Sequence, residues 1–368
     1  MASIRSFIRR EPVLVISVLA AVISCFFVPP DGQYIGYVDF RTLALLYALM
    51  TVVAGLRQAG VFAALAHTLC VHARSTRAIG VILVCLCFFS SMLITNDVAL
   101  LTFVPFAVVV LGMAHDRQDL IRIVVLQTVA ANLGSMLTPV GNPQNLYLYS
   151  CYDIPVLTFL TVTGPVWLLS FVLIFLACFS LPDTKLSLFL GEHPGIERRA
   201  LWIYLALFAV CLLTVARVLD WAVMLLAVIA VVMIFDRKML VKADFLLLLT
   251  FVAFFIFAGN LARIEAVAAL LRGLLAGREY LTALLTSQVI SNVPAALLLS
   301  GFTHEARALL LGVNVGGLGT PIASLASLIS LKLYSHSDHA HPGKFLLEFA
   351  VVNLLLLVLL SLFQAVIG

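Results

Sequence analysis

The chain is poor in charge. Only 11% of its 368 residues are Asp, Glu, Lys or Arg, against roughly 25% in a soluble domain. No polar stretch between the apolar runs is long enough to form a soluble domain. With 63% hydrophobic residues, most of the chain must meet lipid, and the expected fold is an all-α polytopic membrane protein. Cysteine pairing is also absent. The seven cysteines form no CxxC pair and lie mostly inside apolar runs, which argues against a disulfide framework or a thiolate metal site and for small buried hydrophobes. The basic N-terminus and the apolar run after it lack a small-x-small cleavage site, so the run reads as a first span rather than a signal peptide. The net charge of +4 comes from loop Lys and Arg. It sets membrane orientation and gives no reason to expect a nucleic-acid partner.

What the sequence does have is a series of apolar segments with short links, at 13–29, 38–56, 79–113, 119–149, 156–181, 200–216, 221–235, 245–260, 281–334 and 345–367. An inside N-terminus puts Arg57, Lys242, Lys332 and thirteen others of the 22 Lys and Arg on the inner side. It leaves outside only Arg41, Arg217, Arg263, Arg272, Arg278 and Arg307. The positive-inside rule then predicts a multi-pass protein of the cell inner (plasma) membrane with nine crossings, its N-terminus cytoplasmic and its C-terminus external.

The two halves of the chain match weakly. "NLGSMLTP" at 132–139 parallels "NVGGLGTP" at 314–321, "ITNDVALL" at 94–101 parallels "ISNVPAAL" at 290–297, and 38–56 loosely parallels 243–261. Internal repeats of this kind are common in transporters. Counting crossings makes the halves inverted: a first repeat at 1–181, a cytoplasmic linker at 182–199 and a second repeat at 200–368. Each repeat is expected to carry a hairpin, 79–113 or 281–302, with a polar tip. The arm at 281–290 gives only about 15 Å of helix, short of a hydrocarbon core of ~30 Å, so the second hairpin is expected to turn back at mid-membrane. The first has longer arms and reads either as a re-entrant hairpin matching the second or as two ordinary helices joined by a surface turn at Asn96 and Asp97.

Each repeat also has a segment that cannot stay helical. Gly134, Pro139, Gly141 and Pro143 interrupt 119–149; Gly312, Gly316, Gly317, Gly319 and Pro321 interrupt 305–334. In a helix interior Pro costs ~3 kcal/mol and Gly ~1 kcal/mol. An opened backbone must line a protein cavity because it cannot face lipid; the alternative use of such glycines is close helix packing. Two tips facing two broken helices would gather hydroxyls, amides and main-chain groups. The candidate substrate- and ion-binding residues are Thr95, Asn96, Asp97, Gly141, Asn142, Pro143, Asn145, Ser291, Asn292, Gly319, Thr320 and Ser324. Oxygen ligands suit a hard cation such as Na⁺, with Asn96, Asp97, Asn142 and Asn292 as its candidate ligands; amide donors suit a carboxylate or oxyanion. Asp97 has Val293 as its counterpart and no Lys or Arg deep in the apolar segments to pair with. It is either a coupling residue, neutralised by a bound cation or a proton, or a helix N-cap facing a water-filled cavity. His336, His339 and His341 have metal-like spacing in a loop expected to be solvated. His67 and His72 lie on an expected interfacial helix.

"GSMLTPVGNPQN" at 134–145 resembles the G-x-x-x-T-x-x-G-x-P-x-N signature of the ion transporter superfamily, which holds the divalent anion/sodium symporters, citrate transporters and arsenite permeases. "SNVPAALL" and "NVGGLGTPIASLASLI" are similar to the second-half motifs of its citrate-transporter-like and arsenite-permease-like members, and "TND" is closer to the Asn-Asp form of those permeases than to a Ser-Asn-Thr tip. The resemblance runs from about residue 38 onward. It implies an inverted-repeat secondary transporter, often dimeric, that moves a transport domain past a scaffold in an elevator-like cycle.

The expected function is secondary active transport of a small anion, a di- or tricarboxylate such as citrate or an inorganic oxyanion, coupled to Na⁺ or H⁺, by a homodimer with no organic cofactor. Na⁺/H⁺ antiport and arsenite-type efflux are the alternatives within transport. An intramembrane aspartyl protease would need a second Asp at the depth of Asp97, and Asp39, Asp153, Asp220 and Asp244 all fall at segment ends. Catalysis is therefore not expected.

Overall fold

A computed structural model describes residues 11–112, 117–185, 195–337 and 340–367. In chain order the main helices are α1 Pro12–Phe27, α2 Phe40–Gln58, α3 Val61–Cys70, α4 Thr76–Ile94, α5 Asn96–Gly112, α6 Arg117–Gly134, α7 Pro143–Cys151, α8 Val156–Cys178 and α9 Arg198–Val215. There follow α10 Trp221–Asp236, α11 Phe245–Arg263, α12 Glu265–Leu275, α13 Glu279–Ile290, α14 Asn292–Leu299, α15 Ala306–Val315, α16 Leu325–Ser335 and α17 Pro342–Ile367. Among the described residues, seven helical segments are long and apolar enough to cross a membrane: α2, α4, Asp119–Leu137, α8, α9, α11 and α17. The protein is an all-helical, multi-pass membrane protein. The nine crossings read from the sequence include segments such as α1 that fall short of that length.

Burial separates centre from periphery. The span at 119–137 is almost wholly enclosed, whereas α8 and α17 present most of their surface outward. Ile234, Val366 and Phe26 are more than 80% exposed, an apolar exterior that suits lipid and would be a liability in water. Helix α6 is central because α4, α5, α8, α16 and α17 all pack on it.

Local chemistry sets the helix starts. Asp39 caps α2 by accepting from the Thr42 amide at 3.0 Å, and Asp244 caps α11 by accepting from the Leu247 amide at 3.0 Å. These are matching positions of the two halves, with nearly the same backbone (φ −80°, ψ 88° and φ −78°, ψ 88°). Such a cap satisfies amides that the first turn leaves orphaned.

The expected interruptions are present. After α6 the chain passes through 3₁₀ turns at Ser135–Leu137 and Pro139–Gly141, with Thr138 and Asn142 extended, before α7 begins. After α15 it passes through the glycine turn and a 3₁₀ turn at Pro321–Ala323, with Ser324 extended, before α16. Gly141 is obligatory by contact, since a Cβ there would lie 2.1 Å from the Ser135 carbonyl oxygen. Gly319 has φ +100°, and its Cβ would lie 2.2 Å from Gln288 Oε1.

The seven cysteines are free. Among the described residues no group of three His, Cys, Asp or Glu could hold a metal ion. His336 contacts the Lys332 carbonyl, and His339 lies outside the described residues. Helix α3 occupies the expected interfacial segment, with His67 buried.

Candidate functional site

The site is built at two tight joints between consecutive helices. Thr95 joins α4 to α5 with φ 69°, ψ 151°; Ser291 joins α13 to α14 with φ 76°, ψ 155°. This region of backbone space is essentially reserved for glycine, and a residue with a side chain held there costs about 1–3 kcal/mol. Both joints then start a helix in the same way. The Asn96 side chain accepts from the Asp97 amide at 2.9 Å, and the Asn292 side chain accepts from the Val293 amide at 2.9 Å.

Each joint is tied to its own half's interruption. Thr138 donates its hydroxyl to the Met92 carbonyl, and Thr320 donates to the Gln288 carbonyl at 3.1 Å, in each case three residues before the joint. Gln288 also braces the glycine turn. Its amide donates to the carbonyls of Gly316 at 2.7 Å and Leu318 at 2.9 Å, and its oxygen accepts from the Thr320 amide at 2.9 Å.

Polar links then cross between the halves. Asn132 Oδ1 accepts from Asn96 Nδ2 at 3.0 Å and from Ser324 Oγ at 2.9 Å, and its Nδ2 donates to Ser327 Oγ at 3.2 Å. Asn314 Nδ2 donates to Asn145 Oδ1 at 2.7 Å. Asn142 Nδ2 donates to Ser135 Oγ at 2.5 Å, and Asn145 Nδ2 donates to the carbonyls of Ser135 and Thr138 at 3.3 Å. All of these asparagines are buried.

A cavity of about 520 Å³ opens beside this network, within the range of small-molecule sites. Thr95, Asp97, Asn142 and Pro143 line it together with Arg57, Gln58, Lys242 and Asp244. Two buried oxygens on it, Asp97 Oδ1 and Asn142 Oδ1, have no hydrogen-bond partner among the described residues. Such orphans call for a ligand, an ion or water. A second cavity of about 240 Å³ shares Asp97 and Asp244 and adds Glu11, Val293, Pro294 and Lys332.

Further along α7 from Pro143, Tyr147 and, just past its end, Tyr152 reach the second half. Tyr147 Oη and Ser300 Oγ are 2.7 Å apart. Tyr152 Oη donates to the carbonyls of Ser300 at 3.1 Å and Thr303 at 3.0 Å.

The residues nominated from sequence therefore separate into three groups. Thr95, Asp97, Asn142 and Pro143 line the larger cavity. Asn96, Asn145, Ser291, Asn292, Ser324, Gly141 and Gly319 build the joints and links around it. Thr320 is exposed, lines neither cavity and has its hydroxyl committed to Gln288. The oxygens of Asn96 and Asn292, named as Na⁺ ligands, are engaged with their own helix amides, whereas those of Asp97 and Asn142 retain an open acceptor. Sequence reasoning missed Arg57, Lys242, Asp244 and Gln288. The first three sit at helix ends, and the packing of α10, the 3₁₀ turn at Arg237–Val241 and α11 against α2 brings them to one cavity; Gln288 gave no signal beyond being polar in an apolar arm. Asn132 and Asn314 were visible as matching residues of the repeat, but without a role.

The match to known families agrees with this geometry. The citrate transporter family matches residues 3–306. The chain belongs to that family. It is 33% identical over 329 residues to an uncharacterized transporter, MJ0456, of Methanocaldococcus jannaschii, covering 88% of each chain. It is 29% identical over 357 residues to the inner membrane protein YbiR of Escherichia coli, covering 93% of this chain and 94% of that one. A shorter stretch of 147 residues, 39% of this chain and 30% of the relative, is 31% identical to the silicon efflux transporter LSI3 of Oryza sativa. The protein is thus a transporter, not an enzyme.

Proposed function

We propose that this chain is a secondary active transporter of a small anion, a di- or tricarboxylate such as citrate or an inorganic oxyanion, driven by Na⁺ or H⁺. The observation that carries the reading is the pair of joints at Thr95 and Ser291. Two matched non-glycine residues hold a costly backbone conformation, and one of them faces the 520 Å³ cavity beside two unpartnered oxygens. Strain of this kind persists where it serves a site.

In this reading the halves are inverted repeats, each with a re-entrant hairpin and a broken helix. The antiparallel placement of α2 and α11 supports it: Arg57 at the end of α2 shares a cavity with Asp244 at the start of α11, while Arg263 at the end of α11 meets Asp31 and Tyr37 ahead of α2. The exchange of partners supports it as well, because α1 packs on α11 as α10 packs on α2. Helix N-termini at α5 and α7 suit an anion, and the open oxygens of Asp97 and Asn142 suit a hard cation. The N-terminus lies in the cytoplasm, and the chain works as an elevator-type homodimer.

The similarity of part of the chain to a silicon efflux transporter favours one second reading, outward movement of a small inorganic hydroxide or oxo acid. Both readings are tested in proteoliposomes with labelled citrate or silicic acid under imposed Na⁺ or pH gradients. Asn96→Ala, Asn292→Ala and Asp97→Asn are each expected to abolish gradient-driven flux while leaving the detergent-solubilised protein folded. Undiminished flux in all three rejects the site.

A further inference from the structure

Two cations on the wall of the larger cavity have no part in the site as described so far. Arg57 stands in the last turn of α2, and its Nη2 donates to the Leu101 carbonyl on α5 at 3.0 Å. That bond holds the guanidinium against α5 and uses one of its five N–H groups. Lys242 stands just ahead of α11 and lines the same cavity. Among the described residues neither has an ion-pair partner.

Asp97 keeps an open oxygen on the same cavity, but two other nearby acids are engaged. Asp236 accepts from Gln58 Nε2 at 3.2 Å and from the Lys238 amide at 3.2 Å, and Asp244 caps α11. When all are charged, Arg57, Lys242, Asp97 and Asp244 sum to zero. The lining therefore does not draw anions by net charge. It offers instead two localised donors, with the Thr95 hydroxyl and the first turns of α5 and α7 on the same cavity. Thr95 makes no side-chain hydrogen bond among the described residues.

We infer that Arg57 and Lys242 form an anion-capture subsite for a substrate bearing at least two negative charges. They hold its trailing carboxylate or oxyanion while the leading one reaches the Thr95 hydroxyl and the first turn of α7. The inference rests on the transport reading above and adds residues and a substrate class to it. Arg is suited to the role because its planar fork meets a carboxylate with two parallel bonds, whereas Lys supplies a point charge.

The test uses the full chain in nanodiscs, with citrate, succinate and sulfate as multiply charged probes and acetate as the monoanion, by titration calorimetry. Arg57→Gln and Lys242→Gln are each expected to weaken citrate binding at least about tenfold, with acetate binding unchanged and with partial recovery in Arg57→Lys. Arg122→Gln, whose ion pair with Glu348 lies away from the cavity, is expected to bind as wild type. Unchanged citrate affinity in the Arg57→Gln, Lys242→Gln double variant overturns the subsite. If Asn96→Ala still abolishes flux in that case, the transport site itself stands. A wild-type chain that binds none of the three multiply charged probes also overturns the subsite, while silicic acid flux that is lost in Asn96→Ala leaves the transport reading in place.

Discussion

Asn132 donates to Ser327 across the two halves of the chain, and Asn314 donates to Asn145: in the weak sequence match of the halves, the two pairs occupy the same positions with the halves exchanged. The network is therefore a reciprocal clasp between the interrupted segments. Each half holds the other through buried amides rather than through apolar packing alone.

Asn314→Ala leaves Asn145 Oδ1 without its donor in a buried place. A group stranded in this way costs about 1–3 kcal/mol, so the variant should melt several degrees below wild type in detergent. Asn132→Ala strips a partner from Asn96, Ser324 and Ser327 together and should lower the melting temperature further. Equal and negligible shifts would mean that the clasp adds nothing.

Thr95→Gly removes the side chain from a backbone conformation that glycine adopts freely. The expected result is a higher melting temperature, corresponding to about 1 kcal/mol, together with reduced flux because the cavity loses a hydroxyl. Ser291→Gly should stabilise in the same sense. A destabilised Thr95→Gly protein would show that the joint is not strained.

Gly141→Ala places a Cβ against the Ser135 carbonyl, and main chain at that contact cannot move aside cheaply. A loss of about 2 kcal/mol or more is expected. Gly273→Ala is the counter-case: it lies exposed inside α12 with nothing within 4 Å of a new Cβ. It should gain up to about 1 kcal/mol from helix propensity. Unfolding by a denaturant series on both variants checks the contrast.

Glu11 precedes α1 at the smaller cavity, where burial and the Asp244 charge raise its pKa above the ordinary carboxylate value against an opposing pull from Lys332. Its folded-state pKa is thus higher than its unfolded one. The sign follows: the protonated group favours the folded state below the unfolded pKa, and that contribution is lost as pH rises through the folded value. Glu11→Gln should raise the melting temperature at neutral pH and have no effect at pH 4 or below. An equal shift at both pH values would exclude ionisation as the cause.

Much of this was legible in the sequence for physical reasons. Pro139, Gly141 and Pro143 and the run from Gly316 to Pro321 cluster helix breakers more densely than the single prolines that α5 and α8 tolerate at Pro105 and Pro165, so the interruptions could be placed without coordinates. The joints at Thr95 and Ser291 could be located from the repeat, but their backbone angles could not, since neither residue type signals positive φ. Thr320 was nominated because its motif matches Thr138, yet only the fold shows that its hydroxyl is used by Gln288. Arg57, Lys242 and Asp244 were read as ordinary helix-end charges. Their convergence depends on the packing of distant segments, which hydrophobic periodicity does not encode.

Helix α7 has nine residues, about 13 Å in length. Its first turn borders the cavity at Asn142 and Pro143, while Tyr147 at its middle and Tyr152 just past its end reach Ser300 and Thr303. So short a rod, fastened at both ends, has no room to flex. A shift of the Ser300 region would press on α7 and so on the cavity wall at Asn142 and Pro143. Beside the Asn132–Ser327 and Asn314–Asn145 links, this helix is a further bridge between the second half and the cavity wall.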